Sequence, residues 1–572
     1  MLLSGRENYA IEFTKLIGYP LSDANLRRLQ QLLLKYEPEK VYHLAIDELE
    51  IALSTSRRNT SNILKNLADL GWICWLPSKG RGNLSQFRVK VSLCGALEQM
   101  FVVELEQGRF STITRMMELY GETAVKALTS ATEKQNRLNE ECGNLLITQY
   151  PWVDKLQPAI TYRLPELHIL QSIFNTLLVQ DEKGRVQAGL AHCWQVDGRF
   201  INLWLRPEIL CHNGERLTIS SVVKCLKQLK DIEGPVKYLF AQVAEIREIS
   251  GNQLEIELYH TNPYFLYILC LAHASIYCEE KVTFSSGLTV NIGTGPFYVK
   301  EWDTERIVLK RHCKYYGHSA LLDQITLTEA PDLNDYNLSF NRKDGAVEES
   351  MINALSYLAI NYRSDAAISE SNIRSLLEYI RQKRAFFDAD LVIEDLSFTA
   401  SDKTNTLVEA PRLEGHLILT KPKLTIPLLK RTVAWLKGAI EETGIVVEVQ
   451  TLEDISDPGA MRDKADILFI EEIIEQPQEF GLYDWLLASS GLRFIYNDAE
   501  MMAHCENVRL AVSDKEPFVA LKQIERSLYN RKQLLPLFHG KEKVTCSVEV
   551  QGVEINKTGY SNFYNLWINK NT

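Results

Sequence analysis

The sequence predicts a multidomain α/β chain. It has a small N-terminal domain of helices closed by a β-hairpin over residues 1–95, a helical connector over 96–144, and a large α/β domain over 145–572. Three observations predict this. At 572 residues the chain exceeds what one hydrophobic core organises, and its 45% hydrophobic and 24% charged composition is that of an ordinary globular protein. Helical periodicity in the first seventy residues gives way to two short β-rich runs. From Leu145 onward, strand-like and helix-like stretches alternate to the end.

Asp23 is suited to cap a first helix with Leu26, Leu29, Leu33 and Tyr36 on one face, and Pro38 stops it. A second short helix fits Leu44 to Leu53, with Ile46, Leu49 and Leu53 inward. Ser54-Thr55-Ser56 breaks the pattern, with Ser54 where a turn glycine is common, and Ser56 can cap a third helix. That helix runs from Arg57 to Leu70, turns Ile63, Leu64, Leu67 and Leu70 inward, and meets a left-handed stop at Gly71. Two strand-like runs follow, Trp72 to Leu76 and Leu84 to Val89, joined by a tip that carries Lys79, Gly80, Arg81 and Gly82.

The outer face of the third helix holds Arg57, Arg58, Ser61, Asn62 and Lys65, side chains that bond to phosphates and base edges. With Lys79 and Arg81 on the hairpin, the pattern is a winged helix-turn-helix: the helix enters a groove of double-stranded promoter DNA and the wing grips the backbone. Charge distribution agrees. The net charge is −11, yet Arg57 to Lys90 carries seven cations and one anion, a local +6 that leaves −17 elsewhere.

Leu97 to Asn139 reads as two or three short helices, for example Ser111 to Tyr120 and Thr123 to Leu138, with Gly108 and Gly121 at their boundaries. It connects domains or joins two copies in a homodimer; the pattern leaves both open. The first twenty residues lack the features of a secretory leader, and the most apolar run, Tyr264 to Cys278, is interrupted by His273 and too short to span a bilayer. Eleven scattered cysteines without zinc spacing fit reduced thiols, so a cytoplasmic protein with no membrane partner, metal or cofactor is expected. Walker A, G-x-S-x-G and H-E-x-x-H motifs are missing, and Glu471-Glu472 reads as a solvated strand end, so no enzyme is expected.

Two later stretches are dense in specific residues. Gly189 to Leu229 reads as a turn, a strand at Phe200 to Leu205, a His212-Asn213-Gly214 turn, and a helix opened by Thr218 or Ser220. In Ile292 to Leu327, Gly293-Thr294-Gly295-Pro296 bends the chain before a strand. Leu190, Ala191, Trp194, Leu205, Arg206, His212, Asn213, Gly214, Thr218, Val222 and Gly293 through Phe297 follow a pattern that resembles solute-binding proteins of the oligopeptide/nickel-binding type. The likeness continues through Tyr357 to Ile380 and Leu417 to Val449. Cys211 stands where that family has an aromatic, and Ile219 and Ser221 replace its Ala and Asp. A winged helix ahead of such a domain resembles the SgrR-type regulators, which activate genes under sugar-phosphate stress.

The resemblance implies a two-lobed, periplasmic-binding-protein-like α/β domain that closes on a small solute, a sugar phosphate, sugar or peptide. Candidate contacts outside the recognisable core strands are Arg163, His168, Trp302, Arg306, Asn361, Tyr362 and Arg363, the arginines suiting an anionic solute. The function expected is a DNA-binding regulator responsive to that solute. The alternative is a solute or peptide carrier whose winged helix makes only protein contacts.

Overall fold

A computed structural model describes residues 23–78, 84–106, 109–139, 143–148, 150–161, 163–181, 183–234, 236–329, 338–340, 347–388, 391, 409–424, 426–546, 549–555 and 562–569. The chain divides into two compact units, the first running through Leu146 and the second carrying nearly all of the rest.

In the first unit, α1 (Asp23–Leu33), α2 (Ile46–Leu53) and α3 (Arg57–Asp69) pack their apolar stripes together, burying Leu26, Leu29, Leu32, Leu49, Leu53, Leu64 and Leu67. Leu32 is buried with Leu26 and Leu29 while Leu33 packs half-buried against the same core, and Thr60 joins the buried face of α3 while Ile63 is only half-buried. Arg28 donates to the Leu53 carbonyl at 3.0 Å and so closes the end of α2. α3 stops as its glycine demands: Gly71 takes φ +74°, its N–H reaches the Ala68 carbonyl, and the Trp72 N–H reaches the Leu67 carbonyl, both at 2.9 Å. Three antiparallel strands follow the order β1–β3–β2, where β1 is Tyr42–Leu44, β2 is Ile73–Leu76 and β3 is Ser85–Val89. β1 lies inside the stretch expected to be turn and helix.

The helices expected as a connector do not stand apart. α4 (Leu93–Glu106) and α5 (Phe110–Asn139) place Leu97, Met100, Phe101, Met116 and Ala127 in the same hydrophobic cluster as Leu26 and Trp72. The Trp72 indole N–H donates to Gln99 Oε1 at 2.8 Å. Gly121, at φ +52° and ψ −131°, breaks α5 where the sequence placed a helix boundary.

The second unit has two lobes. In the first lobe, β4 (Ala191–Asp197), β5 (Phe200–Leu205), β6 (Val243–Ser250) and β7 (Gln253–Leu258) form an antiparallel sheet ordered β4–β5–β7–β6. α6 (Leu164–Ile173) and α7 (Ile219–Gln228) accompany it, and Thr218 caps α7 by accepting the Ser221 N–H at 3.1 Å. A meander of β8 (Phe297–Trp302), β9 (Arg306–Arg311) and β10 (Gln324–Thr328) completes the lobe. Gly293 and Gly295 lie so close to the Ile173 main chain at the end of α6 that a Cβ on either would overlap it.

The second lobe is built on β11 (Val347–Ile360), β12 (His416–Pro422), β13 (Val446–Leu452), β14 (Ile467–Ile473) and β15 (Leu534–Cys546). With Leu338–Phe340 they make a six-stranded sheet in the order Leu338–Phe340, β15, β11, β14, β12, β13. β12 runs parallel to β13 and β14, whereas β11 runs antiparallel to β14 and β15. The carboxyl ends of β12 to β14 therefore share one edge with the amino-terminal half of β11. Apolar faces of α8 (Glu370–Lys383) and α9 (Pro427–Glu441) contribute Leu376, Ile380, Leu436 and Ile440 to this lobe's core.

Candidate functional site

The solvent face of α3 carries Arg57, Arg58, Ser61, Asn62 and Lys65, all exposed, because the buried Thr60, Leu64 and Leu67 fix the rotation of the helix. These groups are not equivalent. Arg57 is drawn back by α2, with Asp47 at 3.2 Å and Glu50 at 3.8 Å, and the Ser61 hydroxyl donates to the Arg57 carbonyl. Arg58 and Lys65 make no ion pair among the described residues, so their charges face solvent unneutralised. Lys79 and Arg81, expected at the wing tip, lie outside the described residues.

Between the lobes of the second unit is a narrow cleft. Arg163, Leu164 and Pro165 at the start of α6 face Ile352 of β11, Pro422 and Lys423 at the end of β12, Glu471 and Ile473 at the end of β14, and Lys541 of β15. The cavity is about 80 Å³. Cations gather on it, but Arg163 is held by Asp154 and Glu166, each at 3.2 Å, and donates to the Trp152 carbonyl at 2.6 Å. Burial pushes the Glu471 carboxyl up, opposed by the Ser356 hydroxyl that donates to it at 2.9 Å and by the nearby His539. Glu329 is raised by the same desolvation, opposed by the charges of Lys423 and Arg163. Lys155 reaches across to Asp454 at 2.7 Å.

Of the seven solute contacts expected from sequence, Arg163 alone lines this cleft. His168 is buried beneath Tyr150, whose hydroxyl is 3.2 Å from Nδ1, and its ring packs on Phe563. Trp302 is a core residue beside Phe284, and Arg306 pairs with Glu301 at 2.9 Å across its own hairpin. Asn361, Tyr362 and Arg363 sit at the opposite end of the second-lobe sheet. There the Asn361 amide donates to the Ala465 carbonyl, the Tyr362 hydroxyl to the Lys532 carbonyl, and Arg363 pairs with Asp466. The reason is strand direction: ligands collect at the carboxyl ends of parallel strands, but β11 is antiparallel to β14, so its carboxyl end points away from the cleft. Applied to β12 instead, the same reasoning finds Lys423. The Glu471-Glu472 pair is not the solvated strand end expected. Tyr357 of β11 donates to Glu472 at 2.6 Å and the Ser490 N–H at 2.7 Å, so the carboxylate is held between β11 and the amino end of the short helix Ser490–Ile495.

A larger cavity of about 340 Å³ lies away from the cleft, lined by Tyr238, Gln242, Asn262, Tyr483, Glu506 and Arg509 among others. Its polar groups satisfy one another: Gln242 and Asn262 both donate to the Tyr483 hydroxyl, and Arg509 pairs with Glu506. The cleft, in contrast, gathers charged side chains from several elements of both lobes. Among the described residues, no His, Cys, Asp and Glu cluster is arranged to hold a metal ion, and no helix is long and apolar enough to cross a membrane.

Residues 26–139 match the family described as sugar transport-related sRNA regulator N-term, and residues 185–389 match bacterial extracellular solute-binding proteins, family 5 middle. The chain joins an SgrR N-terminal domain to a family 5 solute-binding domain. A protein of Yersinia pseudotuberculosis named HTH-type transcriptional regulator SgrR is 23% identical over 91% of this chain and 94% of its own length. Proteins of the same name from Photorhabdus laumondii and Escherichia coli K12 are 25% and 26% identical over 54% and 51% of this chain, and the matched stretch spans about half of each. The solute-binding domain has the fold of the Staphylococcus aureus protein NikA, solved with Ni(L-His)2 (TM-score 0.60, 16% identity, 75% of this chain and 100% of that one). The murein tripeptide binding protein MppA of E. coli is equally similar (TM-score 0.61, 16% identity, 75% and 99%). The relatives so named are regulators and binding proteins rather than enzymes. The SgrR N-terminal match runs to residue 139, which takes in α4 and α5 and agrees with their place in the first unit's core.

Proposed function

We propose that the chain is a DNA-binding transcription regulator whose activity answers to a small solute held between the lobes of its second unit. The observation that carries the reading is the exposed charge of Arg58 and Lys65 on α3, without an ion pair among the described residues, beside a β-hairpin, in a domain of the SgrR type. In the proposal, α3 enters the major groove as the second helix of a winged helix-turn-helix, with Asn62 and Ser61 towards base edges and Arg57, Arg58 and Lys65 towards phosphates. Lys79 and Arg81 would grip the flanking backbone.

Arg163, Lys423 and Lys541 around the cleft support an anionic solute, with a sugar phosphate ahead of a neutral sugar or a peptide. A cavity of about 80 Å³ is well short of the roughly 300 Å³ that small-molecule sites reach. The lobes must therefore part to admit a solute, and binding would shift an open–closed equilibrium. The test is a mobility-shift titration of the full chain on promoter fragments, with and without hexose phosphates, at several salt concentrations. Retardation that weakens steeply with salt and changes with the sugar phosphate supports the regulator. Failure to retard any fragment at low salt would leave the carrier reading instead.

A further inference from the structure

Cys211 occupies the position where the solute-binding pattern has an aromatic, and the structure sets a second thiol against it. The Cys211 and Cys278 Sγ atoms are 3.0 Å apart and both cysteines are reduced. We propose that Cys211 and Cys278 form a redox-active dithiol that closes to a reversible disulfide when the protein meets a hydroperoxide.

The pair is placed by backbone already held in position. Cys211 is buried in the turn before α7, with its N–H on the Glu215 carbonyl and its carbonyl accepting the Gly214 N–H, both at 2.8 Å. The Cys278 N–H donates to the Ile292 carbonyl at 2.8 Å and its own carbonyl accepts from the Asn291 amide at 3.0 Å. Closing to a bond of about 2.05 Å asks the sulfurs to approach by about 1 Å, within reach of side-chain rotation. Two thiolates on one tetrahedral zinc, with Zn–S near 2.3 Å, would stand about 3.8 Å apart, so the spacing favours a bond over a shared metal. Other described thiols are placed differently: Cys225 and Cys270 face the carbonyls of Ser275 and Leu266, while Cys193 and Cys313 are exposed.

The two sulfurs divide the work. The two thiols share one hydrogen bond at 3.0 Å; with Cys211 as its donor, that bond draws the Cys278 thiol down, against burial and the nearby Glu280, and pushes Cys211 up. Cys278, the more exposed of the two, attacks as the thiolate. Its sulfur takes the terminal oxygen of the hydroperoxide, the O–O bond breaks, and the alcohol leaves after taking a proton. Cys211 sulfur then attacks the resulting sulfenic acid, the S–O bond breaks, and the hydroxyl leaves as water with the Cys211 proton. Two thiols lose two electrons in all, and the peroxide gains them.

The bond would fasten the Cys211–Gly214 turn to the segment that leads into the Gly293–Pro296 turn. His212 already keys the two together: its N–H donates to the Gly293 carbonyl at 2.9 Å, and its Nδ1 accepts the Gly293 N–H at 3.3 Å. Gly293 and Gly295 in turn rest on the end of α6, whose first residues line the cleft. Oxidation therefore stiffens the support beneath α6.

Full-length protein, fully reduced and freed of reductant, is treated with hydrogen peroxide, quenched, alkylated with N-ethylmaleimide in denaturant and mapped by peptide mass spectrometry. We expect two of the eleven thiols to escape alkylation, a peptide pair linking Cys211 to Cys278, and its loss on adding dithiothreitol. In Cys211→Ser, Cys278 should instead be trapped as a dimedone-reactive sulfenic acid. Oxidation should raise the melting temperature by roughly several degrees in the wild type and not in Cys278→Ser. Full alkylation of both cysteines at a peroxide dose that oxidises the exposed Cys193 and Cys313 would overturn the proposal, as would a crosslink to any other cysteine.

Discussion

Arg363 places both Nε and Nη2 at 2.9 Å from Asp466 Oδ1, and the other oxygen of that fully buried carboxylate takes the Ile418 N–H at 2.8 Å. The pair ties the carboxyl end of β11 to the amino ends of β12 and β14. It is a brace within one lobe, on the side away from the cleft. Removing the guanidinium would strand a buried charge, which costs about 3–5 kcal/mol. Arg363→Ala should therefore lower the denaturant midpoint of the second unit sharply. A variant of normal stability with a selectively lost solute response would instead make Arg363 a ligand contact.

Arg58 and Lys65 are predicted to act on DNA through charge. Each phosphate contact contributes about 0.9 to the slope of log affinity against log salt. Arg58→Ala combined with Lys65→Ala should reduce that slope by about 2 and weaken binding of all sequences nearly alike. Asn62→Ala should leave the slope unchanged and relax discrimination between sites by about 1–3 kcal/mol. Fluorescence anisotropy on matched and scrambled duplexes separates the two effects.

How far the sequence was readable depended on how local each signal was. α3 and its stop were legible because a 3.6-residue stripe and Gly71 act within one helix. The strand Phe200–Leu205 and the helix capped by Thr218 were legible for the same reason. β1 was missed because three residues, paired only to Ser85 through Phe87, leave no periodic trace. α4 was legible only as one of the two or three helices expected over Leu97–Asn139, without bounds of its own, because Ala96, Leu97, Met100, Phe101, Val102 and Val103 are buried around much of its circumference and leave no clear polar face. The cleft was the least legible part. Lys423, Glu471 and Lys541 come from three strands whose relative direction only the sheet reveals, and that direction places Asn361, Tyr362 and Arg363 at the end of the sheet away from the cleft.

Ser54 joins α2 to α3 at φ +49°, a left-handed conformation that costs an L side chain about 1–2 kcal/mol. Glycine would relieve the strain, less the greater freedom it gains on unfolding. Ser54→Gly should stabilise the first unit by about 0.5–1 kcal/mol without altering the α3 surface. Thermal denaturation followed by circular dichroism measures it, and a loss of stability would mean that the serine side chain does more than tolerate the turn.

Lys155 and Asp454 bridge the cleft while both remain about half exposed, at 47% each. Such a pair is worth about 0–1 kcal/mol and is screened by salt, so Lys155→Ala should raise the open population by no more than about fivefold. Distances between fluorescent labels on the two lobes would report the change. Although burial opposes it, the Lys155 ammonium and the Ser456 donors hold the Asp454 carboxyl below its ordinary value of 3.8. A lowered carboxyl contributes above its unfolded pKa and fades as pH falls through the folded one, so the latch is intact at neutral pH and weakens below about pH 4. Opening that persists unchanged at 1 M salt would show that something other than this ion pair holds the lobes.

His212 gives the solute-binding domain an acid sensitivity of defined sign. Its Nδ1 accepts the Gly293 N–H at 3.3 Å, so the proton sits on Nε2, 3.1 Å from the Gly295 carbonyl. Protonating Nδ1 would set two donors against each other in a buried site beside His312. Burial first, and the neighbouring histidine second, push His212 down to about 3 from 6.5. The unfolded chain takes up this proton below about pH 6.5 and the native chain does not, so stability falls with pH through that window, by about 1.4 kcal/mol per unit. His212→Gln keeps an amide able to face both glycines and removes the titration. Denaturation of the two proteins at pH 7.0 and 5.5 should show the wild type losing about 1–2 kcal/mol more than the variant, and equal losses would place the proton elsewhere.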